Sequence, residues 1–384
     1  MLAVPNESVS QPPRDGNEPR LFRTLSSDIH EVTDELGRRG IRTFSAAFGD
    51  IDTFYLDEAS QRRLAAAGRV RRFFLRFFWL IRGLLMKLTP ARRILLACAI
   101  LLLLPGIHIG GEQAFRVDLR VPLVSMLIVV FVLMLELKDK LIARNELVAG
   151  RAVQLALMPP ESPAVPGWDV WLYTQPANDV GGDLVDHLPF NDQQHGIALG
   201  DVAGKALPAA LLMVKLQATL RALVPLFPAL DALGAGVNRI LNRDGLPNRF
   251  ATLFYLVLTP GSGHVRYLNA GHLPPQLVRG SSIEELPGGS IALGFIPEAE
   301  FTEHTVELAE GDLLVIVSDG VVEAMNAIGD FFGDDRLRAA ITAGRGRGAK
   351  ELGLSILTAL EAFVGETKPH DDVSVVVVRR QTRS

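Results

Sequence analysis

Four segments of this chain place an aspartate at the border of an apolar run. Asp183 follows the paired glycines of "NDVGGDLVD". Asp201 lies in "ALGDVAGK", Asp319 in "LLVIVSDGVVE", and Asp371 and Asp372 open "DDVSVVVV". Taken singly, each suits a turn, where the side chain bonds its own backbone. Gathered at one edge they would repel one another, and buried unpaired carboxylates are costly unless cations neutralise them. Ligands that are all oxygen select hard ions such as Mg²⁺ or Mn²⁺. Cys98 is the single cysteine and lies far upstream, and no closely spaced histidine pair offers a zinc site. A two-metal carboxylate site clamps a phosphoryl group and lowers the pKa of a bound water. Spacing alone does not decide between four turns and one site.

Strands must hold these carboxylates. From Trp168 onward the chain alternates short apolar runs, "WDVWLYT", "GIALGDV", "ATLFYLVL", "HVRYLNA", "DLLVIVSD" and "VSVVVVRR", with the turn "TPGSG" between two of them. Amphipathic helices are expected at "LPAALLMVKLQATLRAL", with Pro208 in the first turn, at "ALDALGAGVNRILN" and at "AKELGLSILTALEAFV". Strands with segregated helix pairs make an α+β layered domain. "GRGRG" at Gly344 reads as a loop.

The N-terminal part differs in texture. The chain has 384 residues, 48% hydrophobic and 21% charged, so most of it can build a core. One cysteine allows no intrachain disulfide. Residues 1–150 hold 21 Lys+Arg against 16 Asp+Glu, and 151–384 hold 18 against 27, a balance of +5 followed by −9. The acidic half is a poor match for nucleic acid, and none is expected as a partner. Residues 1–20 read as a disordered polar tail without a signal-peptide core. Residues 21–90 read as helical and basic, and 69–88, "RVRRFFLRFFWLIRGLLMKL", as a helix at a membrane surface. Ile94 to Gly111 is an uncharged run of 18 residues, and Val121 to Leu135 one of 15. A spanning helix takes about 20 apolar residues. A two-helix transmembrane hairpin over 93–137 is expected, with lipid contact over 69–137. Arg92 and Arg93 before it, and Lys138, Lys140 and Arg144 after it, place both ends in the cytoplasm, so the chain is expected as a two-pass inner-membrane protein. Residues 138–160 read as a helical linker ending at Pro159. Met134, Leu141, Val148 and Leu155 recur every seven residues, a weak coiled-coil signal that allows a homodimer through the linker.

"QPANDVGGDLVD", "ALGDVAGKALPAALLMVKLQATLRAL", "RFATLFYLVL", "YLNAGHLPPQLV", "LVIVSDGVVEAMN" and "HDDVSVVVV" together resemble the bacterial PPM/PP2C-type serine/threonine phosphatases of the SpoIIE/RsbU group, in that family's order. The resemblance covers about residues 150–380. It implies a phosphatase domain over 161–384, a PP2C-like sandwich of two antiparallel sheets flanked by helix pairs. It implies Mn²⁺- or Mg²⁺-dependent hydrolysis of phosphoserine or phosphothreonine in a protein such as an anti-sigma-factor antagonist. It also implies two ions and a metal-activated water, with no phosphorylated side chain. By motif position Asp201 should bridge the ions, Asp319 and Asp371 bind the second, Asp183 act on the first, and the carbonyl of Val202 be a further ligand. Asp372, Gly182, Asn269, Gly271 and His272 are expected around them. Asp372 and Asp186 are expected as structural residues, facing away from Asp371 and Asp183 if strand alternation already holds. Ala203 stands where eukaryotic relatives carry a histidine, and the phosphate-binding arginine of those enzymes has no evident counterpart. Ala206 replaces a common glycine, which reads as a mild change. Two other readings remain: a catalytically silent phosphoprotein-binding module, and a two-metal phosphoesterase acting on a small molecule.

Overall fold

The computed structural model describes residues 86, 88–103, 120–191, 193–244 and 249–382. The expected tail 1–20, nearly all of the basic region 21–90 and most of the connection 112–120 lie outside them. By its internal contacts the chain divides into Met1–Lys138 and Asp139–Ser384.

In the first unit, helix α1 (Pro90–Leu103) packs on the start of α2 (Arg120–Leu157). Ala99 and Ser125 are fully buried, and Ser125 Oγ donates to the Ala99 carbonyl at 2.7 Å. Arg92 Nη1 meets Glu136 Oε1 at 2.6 Å. Residue 92 therefore pairs with 136 and 99 with 125, so the two helices run antiparallel. Small residues at the contact let the backbones approach. The outward faces carry Ile94, Leu101, Leu127, Phe131 and Met134, each more than half exposed. Among the described residues one helix passes a length-and-hydropathy test for a membrane span, and it is Ala206–Leu223. Seven of its residues are buried in the core of the second unit, so it is the core helix α3.

The second unit is built on ten strands. β1 (Trp168–Gln175), β10 (Val373–Arg380), β9 (Leu313–Val317), β6 (Gln276–Arg279) and β7 (Ser282–Glu285) form one sheet in that order. β2 (Leu184–Asn191), β3 (Gln194–Val202), β4 (Ala251–Leu258), β5 (His264–Ala270) and β8 (Glu303–Glu307) form the other. All pairings are antiparallel. Val185, Ile197, Leu199, Phe254 and Leu256 of the second sheet meet Val170, Leu172, Leu314, Ile316 and Val376 of the first. The outer face of the second sheet packs on α3 and α4 (Leu230–Asp244), and that of the first on α6 (Gly333–Gly344) and α7 (Ala349–Val364). This is the layered sandwich expected from the sequence. It explains why "VSVVVV" is apolar at every position but the serine. Val376 and Val378 face the opposite sheet, while Val375 and Val377 face the helices, so both sides are covered. Each such side chain contributes about 1.5–3 kcal/mol by leaving water.

The pairings also set the edge. Leu184 opposes Gly200, and Val375 opposes Val317. The start of β2 thus lies beside the end of β3, and the start of β10 beside the end of β9. Each of those four ends borders one of the aspartate segments.

Candidate active site

The loop that delivers Asp183 is held from two sides. The carboxylate of Asp372 accepts the backbone N–H of Ala177 at 2.8 Å, of Gly182 at 2.6 Å and of Asp183 at 3.3 Å. From α2, Gln154 donates to the Gly181 carbonyl at 2.9 Å and accepts the Gly181 N–H at 3.2 Å. Neither Gly181 nor Gly182 is in the left-handed region. They are small because of close approach. A Cβ on Gly181 would stand 2.5 Å from Asp372 Oδ2, and one on Gly182 would stand 3.2 Å from the Val202 carbonyl oxygen.

The four carboxylates come together at the edge. Asp183 is 4% exposed, and Ser374 Oγ donates to its Oδ2 at 2.5 Å. Asp201 is the penultimate residue of β3, and its N–H reaches Thr252 Oγ1 at 3.3 Å. Asp319 opens the short helix α5 (Asp319–Val322) after Ser318. That turn sits against 371–372 so closely that a Cβ on Gly320 would collide with the Asp372 carbonyl. Asp371 is the outermost: its Oδ1 accepts the Asp372 N–H at 3.0 Å, and its Oδ2 pairs with Lys205 Nζ at 3.0 Å. Lys205 also donates to the His370 carbonyl at 2.7 Å.

Their proximity shows in their acidity. Burial, then the Asp319 and Asp371 charges, push Asp201 up to about 7. Burial followed by the Asp201 charge holds Asp183 well above the usual carboxylate range. Asp319 is raised by burial, Asp371 and Glu323, with Lys205 opposing. A cluster that resists its own ionisation, with only oxygen donors, fits hard divalent cations. The Val202 carbonyl at the end of β3 lies beside Gly182 and within the same oxygen set. As the side chains stand, no three His, Cys, Asp or Glu groups among the described residues are close enough to hold an ion. The donor chemistry, carboxylates and a backbone carbonyl, fits a hard divalent cation.

The remaining expected residues support this edge from behind. Asn269 is buried, donating to the His272 carbonyl at 3.1 Å and accepting its N–H at 2.8 Å, with Gly271 at φ +70° between them. His272 Nδ1 lies 3.0 Å from Thr252 Oγ1, which receives the Asp201 N–H. Burial lowers His272 to about 4, so it is neutral at pH 7. A hydrogen bond to the Val317 backbone opposes that shift without overcoming it. The Asn269–His272 turn therefore reaches Asp201 only through Thr252. Asp372 does turn away from Asp371, but toward the 177–183 loop, which it clamps. Asp186 faces the helices: it is fully buried and paired with Arg221 Nε and Nη2, both at 2.8 Å.

Two expectations are corrected. Ala206 is no mild change, because its φ of +60° makes it the one non-glycine with positive φ among the described residues. A Cβ there costs about 1–2 kcal/mol, which is why glycine suits the position. A close histidine pair also exists. His187 Nε2 and His195 Nδ1 stand 3.1 Å apart near the turn of the β2–β3 hairpin, with rings 3° from parallel. They share a hydrogen bond with each other, and eight residues of chain concealed them. Several supports carried no signal of their own: Ser374, Thr252, Gln154, and Arg249, whose guanidinium lies over Gly204 and donates to the Ala203 carbonyl at 2.7 Å. Their roles come from register and tertiary contact, which a single sequence does not display.

Residues 191–381 match the sequence family described as Stage II sporulation protein E (SpoIIE). Protein IcfG of Synechocystis sp. is 28% identical over 273 residues, covering 64% of this chain. Phosphoserine phosphatase RsbU of Bacillus subtilis is 25% identical over 240 residues, 62% of this chain and 71% of that protein. The SiaA-PP2C domain of Pseudomonas aeruginosa superposes with a TM-score of 0.56 at 17% identity, covering 63% of this chain and 98% of that domain. The chain spans less than half of IcfG, 43% of its length.

Proposed function

Because residues 191–381 belong to the SpoIIE family of PP2C-type phosphatase domains, we propose that this chain is a membrane-anchored, metal-dependent phosphatase. Its substrate is a phosphoserine or phosphothreonine in a bacterial signalling protein, such as an anti-sigma-factor antagonist. The observation that carries this reading is the meeting of Asp183, Asp201, Asp319 and Asp371 from four separate segments at one edge.

Asp201 and the Val202 carbonyl, with Asp183, would hold one Mn²⁺ or Mg²⁺, and Asp201, Asp319 and Asp371 a second. Bound there, such ions polarise a phosphoryl oxygen and lower the pKa of water. The chain's own residues set the stage. Asp372 and Gln154 fix the loop that aims Asp183. Lys205 ties down the 370–371 turn and brings positive charge to the rim, where a phosphate would arrive. Ser318 Oγ donates to the Asp372 carbonyl and Ser374 Oγ to Asp183, so both hydroxyls hold the carboxylate edge in place, and the nucleophile proposed is a water. Ala203 offers no proton and His272 is buried and neutral, so the leaving seryl oxygen takes its proton from solvent.

The exposed apolar faces of α1 and the start of α2 suit lipid, with both ends of the chain cytoplasmic. The heptad residues Leu141, Val148 and Leu155 are about half exposed along α2, a stripe that suits pairing of two copies. Mn²⁺-dependent release of p-nitrophenol from p-nitrophenyl phosphate tests the activity; wild type should turn over and Asp201→Ala should not. Equal rates would sink the mechanism. The other reading is a catalytically silent module that binds phosphoproteins, against which the presence of all four aspartates argues. Calorimetry showing no Mn²⁺ uptake would support that reading instead.

A further inference from the structure

A groove of about 560 Å³ opens beside the carboxylates. Gly320, Asp371 and Lys205 form its inner end. From there it runs over Met325, Phe331, Leu357, Leu360 and Val364, between the loop after α5 and the C-terminal half of α7. Lys205, Lys368 and His370 line it with the carboxylates of Asp371, Glu323 and Glu361, and most of the remaining lining is apolar.

The loop that walls it is rigid, yet it presents apolar side chains to water. Asn326 Oδ1 accepts the N–H groups of Ile328 at 3.1 Å and Asp330 at 2.9 Å. The Asn326 N–H reaches the Asp330 carbonyl at 3.1 Å, and Phe332 N–H the Ala324 carbonyl at 2.8 Å. Phe332 is buried and packs edge-on against Phe363 of α7. On this pinned frame Phe331 is 55% exposed and Ile328 82% exposed. Fixed, exposed aromatic and aliphatic groups beside a pocket are the usual anchors of a protein interface. Rigid presentation also spares the ordering cost of binding.

We propose that this groove seats an apolar side chain of the phosphoprotein substrate, a few residues from its phosphoserine, and so sets sequence preference. The inference rests on the phosphatase reading above. The occupant follows from continuity and charge. A phosphate drawn to the carboxylate edge, with Lys205 and Lys368 near it, leaves the flanking segment over Phe331 and the α7 side chains. A pocket of this size takes one large aliphatic or aromatic side chain with room for backbone.

The test uses the full chain in detergent with Mn²⁺ and three probes. These are p-nitrophenyl phosphate and two phosphoserine nonapeptides, which differ in carrying Leu or uncharged Ser at the positions a few residues to either side of the phosphoserine. Wild type should favour the Leu peptide by about tenfold in kcat/KM, the range for filling or emptying an apolar pocket. Phe331→Ser should remove most of that preference through KM and leave p-nitrophenyl phosphate turnover unchanged. Phe331→Leu should retain the preference. The groove assignment is overturned if wild type shows no preference, or if Phe331→Ser keeps it. It is also overturned if Phe331→Ser slows all three probes alike, or if it changes only the oligomeric state, which would mark a second copy as the occupant. A wild type that does not hydrolyse p-nitrophenyl phosphate at all would instead remove the phosphatase reading, and this inference with it.

Discussion

Asp201 in the metal-free protein holds its proton to about pH 7, against 3.8 for a free aspartate, because burial and the neighbouring Asp319 and Asp371 disfavour its charge. Between about pH 4 and 7 the native state then binds more protons than the unfolded chain, so stability falls as pH rises. Asp183 and Asp319 shift in the same direction. Divalent cations compete with those protons. Mn²⁺ should therefore raise the melting temperature more at pH 7.5 than at pH 5, and Asp201→Asn should flatten both trends; a pH-independent Mn²⁺ effect would contradict the clustering. Ala206 gives a second test. Ala206→Gly relieves a left-handed Cβ but adds freedom to the unfolded chain, for a net gain of up to about 1 kcal/mol. Ala206→Val should be destabilising. Thermal unfolding that shows glycine to be clearly harmful would mean the backbone there is not left-handed.

At the scale of elements, α3 is tied to β2 and to the end of α2 by one arginine. Arg221 pairs with buried Asp186 and donates to the Leu157 carbonyl at 3.0 Å, where Gln217 also donates. The pair is asymmetric, because the Asp186 side chain is fully buried while that of Arg221 is 43% exposed. Arg221→Met strands a buried carboxylate and should cost about 3–5 kcal/mol. Asp186→Asn frees an arginine that can turn to water and should cost less; chemical denaturation with the reverse ranking would contradict this placement. Long, uniformly apolar or clearly periodic elements were readable in advance: β4, β9, β10, α3, α4, α7 and the helix through Leu155, which ends at Leu157 just short of the expected Pro159. Others were not. β2, "LVDHLPFN", carries Asp, His and Pro, because one residue serves the Arg221 pair and another the histidine contact. β6 and β7 have four residues each, too few for a period to show. α6, "GDDRLRAAITAG", is short and polar, and its helicity comes from packing on α7. At the site, the carboxylates were legible as strand-end aspartates. The groups that orient them were not, since Gln154, Thr252 and Ser374 reach the edge only through the folded register.

For the molecule as a whole, the proposed membrane anchor rests on the antiparallel contact of α1 with α2 and on their exposed apolar outer faces. Full-length protein expressed in bacteria should sediment with membranes and need detergent for release; protein that stays in solution without detergent would contradict the anchor. The account turns, however, on what the carboxylate edge does. The most direct measurement is release of inorganic phosphate from a phosphoserine peptide by the full-length protein, first stripped with chelator and then given Mn²⁺, beside Asp319→Asn treated the same way. The account predicts no release after stripping, recovery on adding Mn²⁺, and a loss of at least about a hundredfold in the variant. Release that persists in chelator, or an Asp319→Asn protein as active as wild type, would contradict it.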